Sequence, residues 1–212
     1  WTGVQDFSSL THFYYDYIFN GLYILPPFHL MPQLELLQLG GYDQPLDLDL
    51  TGLYQLKELY FIDDFTTYGL TYDSLPSLEI FQVNYNQLGL WFDTLDLTYS
   101  PNIRVLDFPR WPGSGYTDSL QHIILPDSSA LEYLNLSGNS ITDIDLSTQV
   151  HLSSLLLQDN NLVYLNVANN NLNLTSFNTT NNPNLFCVDV DDPVWSAANW
   201  TSIDSHTSFS SN

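Results

Sequence analysis

The residue types that most often carry catalysis are present in this chain, but spacing never assembles them. The histidines His12, His29, His122, His151 and His206 are scattered, with no H-E-x-x-H pair among them. No G-x-S-x-G elbow and no phosphate-cradling glycine loop occurs. Cys187 is the single cysteine. Its apolar, strand-like context suits a structural half-cystine or an inert core thiol better than a nucleophile. Most carboxylates alternate with leucine, as in "LDLDL" from Leu46 and "ITDIDLS" from Ile141, the pattern of a solvated outer face. The spacing predicts no enzyme and no organic cofactor. Aspartates recur at Asp47, Asp49, Asp143 and Asp145, and again at Asp189, Asp191 and Asp192. These are hard oxygen donors, so weak calcium binding is expected without a specific site.

Recognition chemistry is better supplied. Trp91, Phe92, Trp111 and Tyr116 cluster in two stretches, "QLGLWFDT" from Gln87 and "WPGSGYTDS" from Trp111, with Arg104 and Arg110 close by. Flat aromatics beside arginine and aspartate can stack on sugar rings or anchor a protein partner. They can equally fold back over the chain that carries them. The whole sequence holds 24 acidic residues against three basic ones, a net charge of -21. Such a surface repels phosphate backbones and anionic lipid, so nucleic acid is excluded as a partner class. No apolar run is long enough to span a bilayer, so no membrane insertion is expected. The opening "WTGVQDFSSL" reads as the edge of a folded unit rather than a signal peptide, as in a mature protein or a fragment.

The elements that must hold these residues come from an internal repeat. L-x-x-L-x-L-x-x-N aligns "LEYLNLSGN" from Leu131, "LSSLLLQDN" from Leu152 and "LTSFNTTNN" from Leu174. Looser copies start at Leu10, Leu34, Leu56, Leu78 and Ile103, giving about eight repeats at intervals of 21 to 28 residues. The alternation puts two apolar side chains on one face of a short strand. One strand cannot bury that face alone, but stacked copies bury a continuous column. An asparagine closing the unit can bond backbone groups where the chain turns, which makes Asn86, Asn139, Asn160 and Asn182 candidates for an asparagine ladder. A second alternation follows in each copy and predicts a short extended segment on the back of each coil. Few helix formers and no capped helical pattern are visible, so an all-β-rich solenoid is expected. Leu134, Leu136, Leu155 and Leu157 should be buried.

Front-strand residues between the buried ones point outward. The central outward position reads Tyr14, Gln38, Tyr60, Gln82, Asp107, Asn135, Leu156 and Asn178, with His12, Asp16, Glu58, Asn84 and Tyr133 beside it. The row suits a recognition face, with Tyr14, Tyr60 and Gln82 its foremost candidates. It suits equally well ladders that merely cover a sheet. The two longest units start at Leu78 and Ile103 and are neighbours, and their extra residues are the two aromatic stretches. Insertions of this kind project from one edge of a solenoid.

These repeats resemble bacterial leucine-rich-repeat proteins of the nested class with about 21 residues per repeat. The end, "NNPNLFCVDVDDPVWSAANWTSIDSHTSFSSN" from Asn181, resembles the closing cap of secreted or surface proteins of that type from Bacteroidota. The resemblance implies a right-handed superhelix with parallel front strands, a solenoid over residues 1–180, and a C-terminal repeat and cap over residues 181–212. It implies a disulfide between Cys187 and a cysteine beyond this sequence. It also suggests O-glycosylation at Asp-Ser/Thr-apolar triplets, here at Ser74, Thr94 and Ser119. The implied function is non-enzymatic recognition or adhesion of protein or glycan, in a secreted or outer-surface location. The alternative is a building block of an extracellular fibre or larger surface assembly, made of further copies or domains. That reading is motivated by the lack of a polar N-terminal cap.

Overall fold

The computed structural model describes residues 7–15, 25–41, 46–62, 67–83, 93–110, 119–127, 130–171 and 174–211. In order the strands are β1 (His12–Tyr15), β2 (Leu36–Gly40), β3 (Leu46–Asp49), β4 (Glu58–Ile62), β5 (Thr67–Thr71), β6 (Ile80–Val83), β7 (Thr94–Asp96) and β8 (Val105–Asp107). Then follow β9 (His122–Ile124), β10 (Tyr133–Asn135), β11 (Asp143–Asp145), β12 (Ser154–Leu156), β13 (Tyr164–Asn166), β14 (Ser176–Asn178) and β15 (Cys187–Asp189). From β2 to β15 the chain alternates between a front and a back strand. Helix α1 (Pro193–Asn199), β16 (Ser208–Ser210) and a 3-10 turn at Phe28–Leu30 between β1 and β2 complete the described elements.

The front sheet has eight parallel strands in the order β1-β2-β4-β6-β8-β10-β12-β14. The result is a parallel β-solenoid of about seven turns with very little helix, as the repeat predicts. Every front strand begins two residues after one of the repeat starts, from His12 after Leu10 to Ser176 after Leu174. The cause is the apolar spacing. Leu131, Leu134 and Leu136 are fully buried, and so are Leu152, Leu155 and Leu157 one coil later. Each buried leucine contributes about 1.5–3 kcal/mol relative to exposure. Only a stacked register buries all of them at once. In the N-terminal coils phenylalanine takes over, and Phe61, Phe81 and Phe108 pack edge to face at centroid separations of 5.5 and 4.6 Å.

The back is not one sheet. It is divided into β3-β5, β7-β9 and β11-β13-β15-β16. The isolated middle pair belongs to the two longest coils, whose insertions lengthen the path between front and back strand. In these coils β7 pairs only with β9, and the back sheet breaks on either side. Side chains span the breaks. At the first, the Tyr72 hydroxyl donates to the Asp96 carbonyl. At the second, Gln149 Nε2 donates to the Pro126 carbonyl at 3.0 Å. The core is less covered at the breaks, where Leu70, Tyr72, Ile123 and Leu125 are only partly buried.

Helix α1, the one α-helix among the described residues, follows the last repeat strands. Asp192 caps it by accepting from the amides of Val194 and Trp195, each at 3.0 Å, and Pro193 presets the first turn. It delivers Trp200 to the end of the core. There the indole stacks on Phe177 at 4.5 Å and donates from Nε1 to the Leu174 carbonyl at 3.1 Å. Ser202 then forms an isolated parallel bridge to Asn178, extending the front sheet by one residue pair. Beyond it, β16 adds the last back strand.

Candidate functional site

The front face is built by register. Tyr14 pairs with Gln38, Gln38 with Tyr60, Tyr60 with Gln82 and Gln82 with Asp107. Asp107 pairs with Asn135, Asn135 with Leu156 and Leu156 with Asn178. The central outward position is therefore one unbroken row across all eight strands. Tyr14 is 60% exposed at one end of it. His12 lies stacked beside it, with ring centroids 6.4 Å apart and planes at 18°.

Within this row the polar groups hold one another. The Tyr60 hydroxyl donates to Glu58 Oε2 at 2.7 Å. Burial, then that bond, raises the Tyr60 hydroxyl well above the usual tyrosine range. Gln82 Nε2 and Asn135 Nδ2 donate to the two oxygens of Asp107 at 3.2 and 2.9 Å. Desolvation by burial raises the Asp107 carboxyl, and the two bonds partly offset it. Burial likewise raises the neighbouring Tyr133 hydroxyl. The middle of the face is thus pre-organised, while the β1 end is open.

A second row borders the first, one residue before the strands, and sequence reading missed it. Read down the coils it runs Glu35, Lys57, Glu79, Arg104, Glu132, with alternating charge. Lys57 Nζ reaches Glu35 Oε2 at 2.9 Å. Arg104 binds both Glu132 oxygens at 3.1 Å and approaches Glu79 at 3.9 Å. Bonds to these cations lower the Glu35 and Glu132 carboxyls. Arg104, a sequence-predicted ligand residue, is therefore engaged within the chain. Arg110 also has a partner, and its amide donates to the Ser137 carbonyl at 2.7 Å. Trp91, Phe92, Trp111, Tyr116 and Asn86 lie outside the described residues, as do Asp16 and Asn84.

Three ladder asparagines are described. Asn160 Nδ2 donates to the carbonyls of Leu136 and Leu157 at 2.8 and 3.1 Å, and its Oδ1 accepts from the Ile141 amide at 3.0 Å. Asn182 repeats this one coil on, with Leu157, Thr179 and Leu162 at 2.9, 2.9 and 3.0 Å. Asn139 does the same with Phe108, Leu136 and Leu120 at 2.8, 3.0 and 3.2 Å. Each amide sews its own coil to the preceding one. The residue before each asparagine has positive φ: Gly138 at 74°, Asp159 at 60° and Asn181 at 60°. A second polar corner went unread, where Gln149 and Asn169 are buried and Asn169 Nδ2 donates to the Gln149 carbonyl at 3.0 Å.

The remaining predicted residues have distinct settings. Ser74 and Thr94 line opposite sides of the cleft at the first back-sheet break, a cavity of about 310 Å³ that also holds Tyr72 and Tyr99. Burial pushes the Tyr72 hydroxyl up to about 12. Ser119 is buried, and its hydroxyl shares a 2.5 Å bond with Ser140. Cys187 is exposed rather than in the core, and its thiol donates to Ser210 Oγ at 3.1 Å. Two of the aspartates expected to attract cations also lock turns. Asp49 accepts from the Thr51 amide and Asp145 from the Ser147 amide, both at 2.9 Å. Among the described residues, no three His, Cys, Asp or Glu side chains converge to hold a metal ion. No described helix is long and apolar enough to cross a membrane. No family model, curated protein or solved structure matches the chain.

Proposed function

We propose that this chain is a non-enzymatic recognition module of the leucine-rich-repeat type that binds a protein or glycan through its front face. The observation that carries this is the outward row from Tyr14 to Asn178, held in register across eight strands. A rigid, polar and partly aromatic surface loses little entropy on binding. Tyr14 lies at its β1 end, with Tyr60 and Gln82 on the third and fourth strands of the sheet, and the stretches bearing Trp91, Phe92, Trp111 and Tyr116 follow Gln82 and Asp107 in the chain. The resemblance supports a secreted or outer-surface location, glycosylation at Ser74 and Thr94, and pairing of the exposed Cys187 with a cysteine outside this sequence. Buried Ser119 suits glycosylation poorly.

The test uses the whole chain and a Tyr14→Ala/Tyr60→Ala/Gln82→Ala variant. Both are applied to an array of neutral glycans and extracellular matrix proteins, and sized by sedimentation velocity. A monodisperse monomer is expected, with binding that the triple variant loses while its melting temperature stays within a few degrees. Concentration-dependent polymers, together with no binding by the parent chain, would replace this reading with the fibre or assembly one.

A further inference from the structure

The second break in the back sheet leaves a slot between β9 and β11, a cavity of about 410 Å³ lined by Ile123, Ile124, Leu125, Asp127, Asp143, Asp145, Tyr164 and others. Its two ends are fastened. At one, the Ser140 amide donates to the Leu120 carbonyl at 3.0 Å; at the other, Gln149 holds Pro126. Between them no strand pairing joins β9 to β11. The backbone of Ile124 faces β7, since its carbonyl accepts from Leu97. By alternation, Ile123 and Leu125 turn their amides and carbonyls into the slot. Thr142 and Leu146 bond toward β13, so Asp143 and Asp145 present their backbone groups to the slot from the other side.

The side chains divide by chemistry. Ile123 and Leu125 are core residues left partly uncovered, and Ile124 and Tyr164 are 45% and 40% exposed on the rim. Asp127, Asp143 and Asp145 are all exposed at the same slot. The ion pairs of Lys57 and Arg104 lie in the front row, away from these carboxylates. The first break is different, because the Tyr72 hydroxyl already occupies the Asp96 carbonyl there.

We propose that this slot binds an extended peptide segment of a partner protein in which basic and apolar residues alternate. Open strand edges supply main-chain bonds to an added strand. The uncovered isoleucines and leucine take its apolar side chains, and the three aspartates take its arginine or lysine. The net charge of -21 draws such a segment in and turns acidic ones away. The site lies on the face opposite the front row and stands independently of the front-face reading.

Calorimetric titration of the whole chain with acetyl-RLRLRL-amide tests it, with acetyl-ELELEL-amide as the control. One peptide should bind per chain and the acidic peptide should not bind. Asp127→Asn/Asp143→Asn should weaken binding at least tenfold, and Tyr164→Ala should weaken it severalfold. Asp47→Asn/Glu58→Gln removes the same charge elsewhere and should leave affinity within twofold, as should the front-face triple variant. Equal losses in both charge-matched pairs would reduce the effect to diffuse attraction and overturn the site. So would absence of peptide binding, or capture of maltohexaose or cellohexaose in its place through Tyr164, which would make the slot a saccharide site. Melting temperatures of all variants separate lost binding from lost folding.

Discussion

At the scale of single residues, the strongest determinants are those that make one coil depend on the next. Asn160 is the clearest case. Replacing it with Ala leaves the Ile141 amide without its acceptor in a corner that is 4% exposed, while the carbonyls of Leu136 and Leu157 lose one donor each and keep Asn139 and Asn182. Each group left without a partner costs about 1–3 kcal/mol. Asn160→Ala should therefore lose about 1–3 kcal/mol in denaturant melts, and Asn139→Ala less, because Asn139 is only partly buried. Leu155→Ala, at a fully buried position, should lose about 2–5 kcal/mol. A loss under about half a kcal/mol would be incompatible with the register described, given that range. Gly138 is constrained twice, since its φ is 74° and an added Cβ would sit 2.1 Å from the Arg110 carbonyl oxygen. Gly138→Ala should destabilise the chain more than any glycine-to-alanine change at an open turn such as Gly52, where nothing lies within 4 Å. The ladder was legible because the asparagine falls at a fixed offset from three unambiguous leucines. The corner of Gln149 and Asn169 was not legible, because neither residue type recurs at that offset in the earlier coils.

At the scale of elements, the sequence exposed both front and back strands but hid how the back sheet divides. Front strands announce themselves by leucine alternation and a rigid offset. Back strands carry the same alternation, so nothing in it distinguishes the pairing of β11 with β13 from the lack of pairing between β9 and β11. Only the longer intervals after Leu78 and Ile103 marked the place where the back sheet divides. Helix α1 was missed for another reason: it is seven residues long, too short for helical periodicity, and its one signal was Asp192 before Pro193. The charged row was missed because its pattern runs across coils rather than along the chain. It has a testable pH dependence. Arg104 holds the Glu132 carboxyl below its ordinary value of 4.5, so this contact stabilises the fold above that pH and is lost as pH falls through the lowered value. The stability gap between the parent chain and Glu132→Gln should be widest near neutrality and close on acidification toward pH 3. High salt should narrow it at every pH, as the pair is half-exposed. Asp107 has the opposite sign. Its carboxyl is raised by burial, so the benefit of its neutral form is present at low pH and disappears as pH rises.

For the molecule as a whole, the balance of charge is the dominant unspent energy. Three basic residues cannot neutralise 24 acidic ones, and two of the three are committed to the front row. Self-repulsion opposes compaction and should yield to screening. Melting temperature should rise with monovalent salt. Millimolar calcium should add a small further increment at matched ionic strength, reversed by chelator. Identical melting curves in calcium and chelator would leave screening as the whole effect. The charge was plain from composition, but its distribution was not. The turn-locking roles of Asp49 and Asp145 become visible only once each strand end is placed beside the amide two residues on.

The unequal construction of the two faces has a mechanical side. The front sheet is one continuous plate, whereas the back is three plates with seams between them. Bent toward its back, such a body folds at the seams first, because only a few bonds cross them. Pulled from its ends, it should not peel evenly coil by coil. Rupture should come in bursts, with the coils sharing one back plate released together. Force–extension traces of the chain held between handles would therefore show a few large steps rather than a regular sawtooth with the period of a single repeat.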